Sequence, residues 1–222
     1  SLVLLPEMFA SGFTMNLDAA CEEPGGAAER LLSDAARRRG ITILAGVATR
    51  GPDGRGRNEA VAFGPDGAES VRFSKLHPFT FSGEPERFAP GDGIRTFAWA
   101  GFTVAPFVCY DLRFPESFRA AVRRGADLLV VLANWPAERS EHWLTLLRAR
   151  AIENQAYVAG VNRCGASPHH AYPGRSLIVD PRGVVLEPGV TAASSGVAGW
   201  VSGVRDPGFP VRGHEHHVVE HR

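Results

Sequence analysis

Short, uninterrupted apolar runs restrict the fold of this chain more than any other feature of its sequence. The clearest runs are Leu2–Leu5, residues 104–108 and Leu128–Ala133. Each is shorter than a typical helix and lacks the polar–apolar alternation of a half-exposed strand, so it predicts a strand buried on both faces. Such strands need a covering layer above and below their sheet, which limits the chain to layered folds.

Helical spacing between the predicted strands gives a mixed pattern. Ala27–Arg39 has this spacing and ends at Gly40, a typical C-terminal cap, and residues 138–154 form the longest predicted helix. The remaining predicted elements are a strand over 41–49, a hairpin from 58–63 and 69–73, two strands within 97–108, a helix over 116–124, and strands over 127–133, 157–161, Leu177–Val179 and 197–204. Strands alternate with helices in the middle of the chain, which predicts an α/β class.

Composition favours one core and excludes several classes of protein. The chain has 222 residues, 44% of them hydrophobic, so we predict a single domain over 1–222 with a loosely ordered tail over 206–222. Its 24 basic and 24 acidic residues balance, and no apolar run is long enough to cross a bilayer. We therefore expect no nucleic-acid or membrane partner. Three sparse cysteines argue against a disulfide framework and indicate a reducing, cytoplasmic compartment.

Lysine usage is unusually informative. Lys75 is the only lysine, and the other 23 basic residues are arginines. A coding bias explains the arginines. The one remaining lysine then indicates a site that needs a compact ammonium and has no room for the planar fork of arginine.

Two reactive side chains and one amide follow apolar runs directly. They are Glu7, Cys109 and Asn134. Ligand sites of α/β sheets gather at the carboxyl ends of strands, so the three can converge. Cys109 is a candidate nucleophile, although buried cysteines are commonly only small apolar residues. A nucleophilic thiol needs a base, and Glu7 is a better placed candidate than any histidine; the alternative for Glu7 is an ordinary loop residue.

Five segments carry a more specific pattern. They are Leu5-Pro6-Glu7-Met8-Phe9, Lys75-Leu76-His77, and residues 109–116, 133–136 and 148–158. In this order and spacing they resemble the nitrilase superfamily of carbon–nitrogen hydrolases, over most of the chain. The details at Phe9, Gly12-Phe13 and Asn134-Trp135-Pro136 are most similar to the omega-amidase branch, whose members hydrolyse the terminal amide of 2-oxoglutaramate and related small substrates.

The resemblance implies a four-layer α-β-β-α sandwich and a catalytic triad. In the family, Glu7 would be the general base, Lys75 the oxyanion stabiliser and Cys109 the nucleophile, with the backbone N–H of Tyr110 as a second oxyanion donor. Glu84 matches a second family glutamate that orients Lys75 or the attacking water; otherwise it is a solvated loop charge. We expect a homodimer, no cofactor and no metal. His214, His216 and His217 are better explained as part of a polar tail than as metal ligands.

The remaining candidates concern substrate binding. Phe9, Phe79, Asn134 and Trp135 are expected pocket walls, although each alone is more often a packing residue. Arg113 is a candidate partner for a substrate carboxylate, but a structural ion pair with nearby Asp111 is the preferred interpretation. The expected reaction is hydrolysis of a small amide that bears a carboxylate, through a Cys thioester. The alternatives are an N-carbamoyl amine hydrolase, a nitrilase, another small amidase, or a non-catalytic binding module on the same fold.

The start of the chain leads to one further expectation. Family members carry a strand and a helix before the strand that leads to the catalytic glutamate, whereas here Glu7 comes almost at once. We therefore expect an unpaired edge or an apolar groove beside Leu2–Leu5, and poor stability of the chain alone.

Overall fold

The computed structural model describes residues 1–188 and 199–201. Its strands are β1 (Leu2–Leu5), β2 (Thr42–Arg50), β3 (Gly56–Phe63), β4 (Glu69–Ser74), β5 (Phe97–Trp99), β6 (Phe102–Val108), β7 (Leu128–Ala133), β8 (Tyr157–Asn162), β9 (Cys164–Ala166), β10 (Ala171–Pro173), β11 (Leu177–Val179), β12 (Val185–Pro188) and β13 (Gly199–Val201). Its α-helices are α1 (Leu17–Ala20), α2 (Ala27–Arg39), α3 (Glu84–Arg87), α4 (Pro115–Arg123) and α5 (Ser140–Asn154). Short 3₁₀ turns cover Thr80–Ser82, Cys109–Arg113 and Ala137–Arg139.

These strands form two large sheets and one small ribbon. The first sheet has the order β13-β1-β2-β3-β4, and the second has the order β12-β11-β8-β7-β6-β5. In the second sheet β6, β7 and β8 are parallel, which agrees with the helical crossovers predicted in the middle of the chain. β9 and β10 pair as a separate two-stranded ribbon.

Alternation of side chains along the first sheet produces two cores. Leu2 and Leu4 of β1 belong to a large cluster with residues of the second sheet, and the Phe73 and Phe107 rings meet across the two sheets at 5.8 Å. Ile43 of β2 and Val61 of β3 point the other way and pack against α2. The opposite face of the second sheet is covered by α4 and α5. The result is the expected four-layer α-β-β-α sandwich.

The predicted elements agree well with the observed ones, with identifiable exceptions. Gly40 ends α2 in the left-handed conformation at φ 62°, as the capping pattern predicts. The longest helix begins two residues later than predicted, at Ser140, because Ala137–Arg139 form a 3₁₀ turn. We did not predict α1, α3, β9, β10 or β12, which are all three or four residues long and have little periodic signal. The predicted tail, which contains His214, His216 and His217, lies outside the described residues.

The expectation of an exposed edge beside β1 is wrong. β1 pairs in parallel with β2 on one side and antiparallel with β13 on the other. Leu2 and Leu4 are fully buried. A distant segment of the chain thus supplies the neighbour that local sequence did not reveal.

The described residues also bear on two classes of site. Within 1–188 and 199–201, no helix is long and apolar enough to cross a membrane. Over the same ranges, histidine, cysteine and acidic residues form no cluster suited to holding a metal ion.

Candidate active site

The ends of four strands bring the predicted site residues together. Glu7 follows β1, Lys75 follows β4, Cys109 follows β6 and Asn134 follows β7. Asn134 joins the two sheets directly, because its backbone N–H donates to Glu7 Oε2 at 3.0 Å and its side-chain amide donates to the Glu7 carbonyl at 2.7 Å. The convergence predicted from strand ends is therefore observed.

Lys75 lies between two buried carboxylates. Its Nζ is 3.0 Å from Glu7 Oε1 and 2.8 Å from Glu84 Oε2. All three side chains are at most 1% exposed. Glu84 is thus not a solvated loop charge, because α3 turns it inward and the Phe79 backbone N–H donates to it at 2.6 Å. The two carboxylates thus share one ammonium as their charge partner.

Asn58 connects the two carboxylates, and sequence reasoning missed it. Its Nδ2 donates to Glu7 Oε1 at 2.7 Å and to Glu84 Oε1 at 2.8 Å. Its carbonyl also accepts the backbone N–H of Lys75 at 2.8 Å. The only sign of Asn58 in the sequence was an amide at the start of a predicted strand. Its role becomes visible only once β3 pairs with β4.

The titration properties of the site follow from burial and charge. Burial alone would raise the pKa of Glu7, but the adjacent Lys75 ammonium and hydrogen bonds from Asn58 and Asn134 together lower it below its ordinary value. Burial would lower the pKa of Lys75, but Glu7 and Glu84 outweigh it and raise this pKa. Burial and the neighbouring Glu7 carboxylate raise the pKa of the Cys109 thiol well above its ordinary value, against the opposing effect of Lys75.

These directions define the resting site. It holds an ionised glutamate, a protonated lysine and a neutral thiol. The pKa of Glu7 is lowered despite burial because three donors converge on one carboxylate.

Cys109 occupies an unusual backbone conformation. Its φ is 47°, in the left-handed region that residues other than glycine seldom adopt. The turn that carries it is held by Asp111, whose carboxylate accepts the Val108 N–H at 3.1 Å and the His77 N–H at 2.9 Å. His77 Nδ1 lies 2.8 Å from the same carboxylate. Asp111 therefore ties the Cys109 turn to the segment that follows Lys75.

A cavity of about 170 Å³ opens above Cys109 and Glu7. Four of the five predicted substrate-binding residues line it, namely Phe79, Arg113, Asn134 and Trp135. Its other lining residues are Phe13, Phe81, Ser82, Tyr110, Pro136, Arg139, His170 and Tyr172. The volume suits a small substrate, and half of the lining residues carry aromatic rings.

Comparison with known proteins agrees with this geometry. A sequence model of the carbon–nitrogen hydrolases matches residues 1–198. This chain belongs to the carbon–nitrogen hydrolase family. Omega-amidase YafV of Yersinia enterocolitica is 42% identical over 204 residues, covering 86% of this chain and 74% of that protein. The 2-oxoglutaramate amidase of Bacillus subtilis is 35% identical over 189 residues, covering 85% and 73%.

A solved structure supports the same assignment. XC1258 of Xanthomonas campestris is a CN-hydrolase superfamily protein with an arsenic adduct in its active site. It matches this fold with a TM-score of 0.79 at 38% identity, covering 84% of this chain and 72% of that one. This carbon–nitrogen hydrolase is thus an enzyme that acts on carbon–nitrogen bonds other than peptide bonds.

Two expectations about the pocket of this hydrolase need correction. Phe9 does not line the cavity above Cys109: the chain turns at Met8, where φ is 45°, and Phe9 packs against the cluster beneath α2. Arg113 does not pair with Asp111, because that carboxylate is already engaged by His77 and Val108. Arg113 instead reaches His142 Nδ1 at 3.1 Å and lies 5.1 Å from the Trp135 ring centroid.

Proposed function

We propose that this hydrolase is an omega-amidase that uses Cys109, Glu7 and Lys75 to release ammonia from small amides bearing a carboxylate. The observation that supports this best is the buried Glu7–Lys75–Glu84 array at the base of a small aromatic cavity beside Cys109. No ordinary structural role needs a lysine enclosed by two carboxylates next to a cysteine in a left-handed turn. Burial of such charges is costly unless it serves a function.

Acylation begins with transfer of the Cys109 proton to Glu7. The sulfur attacks the amide carbon, a C–S bond forms, and the carbonyl electrons move onto oxygen. The Lys75 ammonium and the Tyr110 backbone N–H stabilise this oxyanion, and such donors contribute about 3–4 kcal/mol each. The raised pKa of the thiol and the lowered pKa of Glu7 oppose proton transfer in the resting enzyme. Transfer therefore accompanies attack, as negative charge moves from sulfur to an oxygen beside Lys75.

The same groups complete acylation and then carry out deacylation. Protonated Glu7 gives its proton to the leaving nitrogen, the C–N bond breaks, and ammonia departs from a thioester on Cys109. Glu7 then accepts a proton from water, whose oxygen attacks the thioester carbon. The C–S bond breaks, the acid product is released, and the proton on Glu7 returns to sulfur.

Glu84 and Asn58 act through other residues in this proposal. Glu84 accepts Lys75 Nζ and the Phe79 N–H, so it holds the ammonium and one cavity wall together. Asn58 fixes the separation of the two carboxylates. Both are positioning residues, because neither lines the cavity above Cys109.

The substrate class is supported by the relatives and by the cavity. The two curated relatives reported above are named for omega-amide and 2-oxoglutaramate hydrolysis. The cavity volume of about 170 Å³ suits a five-carbon molecule. Arg113 in its wall offers a guanidinium to a carboxylate at the far end of the substrate. We further propose a homodimer in a reducing, cytoplasmic compartment, which size-exclusion chromatography and fractionation test.

A panel of small amides tests the function. Ammonia release from 2-oxoglutaramate is compared with release from pentanamide, an N-carbamoyl amine and a nitrile. We expect the highest kcat/KM for 2-oxoglutaramate, and a Cys109 peptide heavier by the acyl group in quenched samples analysed by mass spectrometry. Equal rates for 2-oxoglutaramate and pentanamide would exclude the carboxylate preference. Turnover in the wild type without any acyl adduct on Cys109 in the quenched samples would argue against the thioester.

A further inference from the structure

A second guanidinium shares the cavity with Arg113. Arg139 lies in the 3₁₀ turn that precedes α5 and lines the cavity above Cys109. Its guanidinium carbon is 5.5 Å from the centroid of the Phe79 ring. Its backbone carbonyl accepts the Trp135 Nε1–H at 2.7 Å, so the turn is anchored to the cavity wall independently of the Arg139 side chain.

The surroundings of the two cavity arginines bear on the role of their charges. Among the residues that the structure describes, neither Arg113 nor Arg139 forms an ion pair, although many other arginines of the chain do. The nearby Glu138 is turned toward His170, at 3.7 Å. Glu7, the acidic residue of the cavity wall, is engaged by Lys75, Asn58 and Asn134.

An aromatic frame holds the two arginines. Arg113 lies over the Trp135 and Tyr110 rings, and Arg139 lies over Phe79, whose ring meets Tyr110 at 5.0 Å. Cation–π contacts of this kind stabilise a guanidinium without neutralising it. Each planar fork remains able to bind a carboxylate through two parallel hydrogen bonds.

We propose that Arg139 is the residue that determines carboxylate specificity, and that it completes with Arg113 a two-guanidinium site for the substrate carboxylate. This inference rests on the proposed omega-amidase function and assigns the anion-recognition step within it. Arg113 is adjacent to the Cys109 turn and supports Tyr110 and Trp135, so it also shapes the reacting end of the cavity. Arg139 comes from a separate turn that is anchored through its backbone. Its side chain can therefore contact the distal end of the substrate without shaping the reacting end.

The test compares two substrates across matched arginine variants. Arg139→Met removes the charge and keeps much of the side-chain length, and Arg38→Met removes an exposed arginine on α2 as a control. Substrates are 2-oxoglutaramate and pentanamide, which have the same chain length but differ in charge. For Arg139→Met we expect KM for 2-oxoglutaramate to rise about 10- to 100-fold, the range for losing a charged hydrogen bond, and the loss on pentanamide, which has no carboxylate, to be several-fold smaller.

Further variants separate anion binding from packing. Arg139→Glu should reverse the preference, so that pentanamide becomes the better substrate. Arg113→Met should impair both substrates, because it also removes support from Tyr110 and Trp135. Glutarate should inhibit the wild type competitively and inhibit Arg139→Met more weakly. Circular dichroism establishes that each variant is folded before kinetics are compared.

The two proposals fail in different ways. If wild-type enzyme prefers 2-oxoglutaramate but Arg139→Met keeps the same preference, the Arg139 inference is wrong and the proposed function stands. If the wild type does not prefer 2-oxoglutaramate over pentanamide, the proposed substrate class itself is wrong. An equal loss on both substrates in folded Arg139→Met would assign Arg139 to packing and also overturn the inference.

Discussion

At the scale of single residues, the surroundings of Lys75 suit a lysine ammonium and not an arginine guanidinium. Its ammonium is held at 2.8 Å and 3.0 Å by two fully enclosed carboxylates. Arginine would keep the charge, but its planar fork must displace Glu7 or Glu84 to fit. We expect Lys75→Arg to abolish turnover, as Cys109→Ala should by removing the nucleophile, when ammonia release is measured.

Controls for this prediction distinguish lost chemistry from lost folding. Cys164→Ala, on the β9 ribbon, removes a different thiol and should retain activity. Overpacking costs about 1–3 kcal/mol, so thermal melting must establish that Lys75→Arg is folded at the assay temperature. Activity of Lys75→Arg within a few-fold of wild type would remove the argument drawn from the single lysine.

Asn58 gives a second prediction at this scale, on pH dependence. Because the pKa of Glu7 is lowered, its ionised form persists as pH falls, and the associated stability is lost only as pH passes down through the folded pKa. Asn58→Ala removes a donor from that carboxylate and raises its pKa toward the ordinary value. We expect the acid limb of kcat/KM to move to higher pH in Asn58→Ala.

The matched control is Asn154→Ala, which alters a buried amide in α5 that bonds to the Arg150 carbonyl. It should lower stability without moving the acid limb. Circular dichroism at each pH separates titration of the site from acid unfolding. An unchanged acid limb in folded Asn58→Ala would show that Asn58 does not control the ionisation of Glu7.

At the scale of elements, one carboxylate joins the segment that follows Lys75 to the turn that holds Cys109. Asp111 is fully buried and accepts from Val108, beside Cys109, and from His77, two residues after Lys75. Asp111→Ala leaves buried donors unpaired, at a cost of about 1–3 kcal/mol. We expect its melting temperature to fall by several degrees, and kcat to fall further than the stability loss explains.

A variant of His77, the partly exposed partner of Asp111, provides the comparison for the loss of kcat. His77→Phe keeps the ring that stacks on Phe114 at 3.6 Å but removes the nitrogen that faces Asp111. The backbone bonds to Asp111 remain, so we expect a smaller loss of kcat than in Asp111→Ala. Calorimetry and steady-state kinetics measure both. Near wild-type kcat in folded Asp111→Ala would exclude a positioning role.

At the scale of the whole molecule, the first sheet is completed by a distant strand. β13 pairs with β1, the strand that leads to Glu7, through Leu2↔Val201, Val3↔Trp200 and Leu4↔Gly199. A chain ending at residue 198 loses this neighbour and exposes the β1 edge, whereas a chain ending at 205 keeps it. We expect the shorter chain to melt at lower temperature and to aggregate more, as light scattering measures. Equal melting of the two chains would show that β13 contributes little.

The amino-acid sequence by itself determined the strand and helix pattern, the layered α/β class and the main side chains that meet in the candidate active site. These features depend on local information: apolar runs of strand length, a glycine cap after α2, and reactive side chains placed directly after strands. The single lysine indicated Lys75 as a site residue through composition, which hydrophobic periodicity could not do. Motif order then related Glu7, Lys75 and Cys109 to one another before any distance was known.

Tertiary structure alone decided the features that depend on which distant segments meet. Asn58 bridges two carboxylates because β3 pairs with β4, and β1 gains a second neighbour because β13 returns to it. The pKa of Glu7 is lowered because donors from three separate strand ends converge on one buried oxygen pair. Arg139 lines the cavity and Phe9 does not, because the turns that carry them take their direction from packing and backbone geometry rather than from residue type.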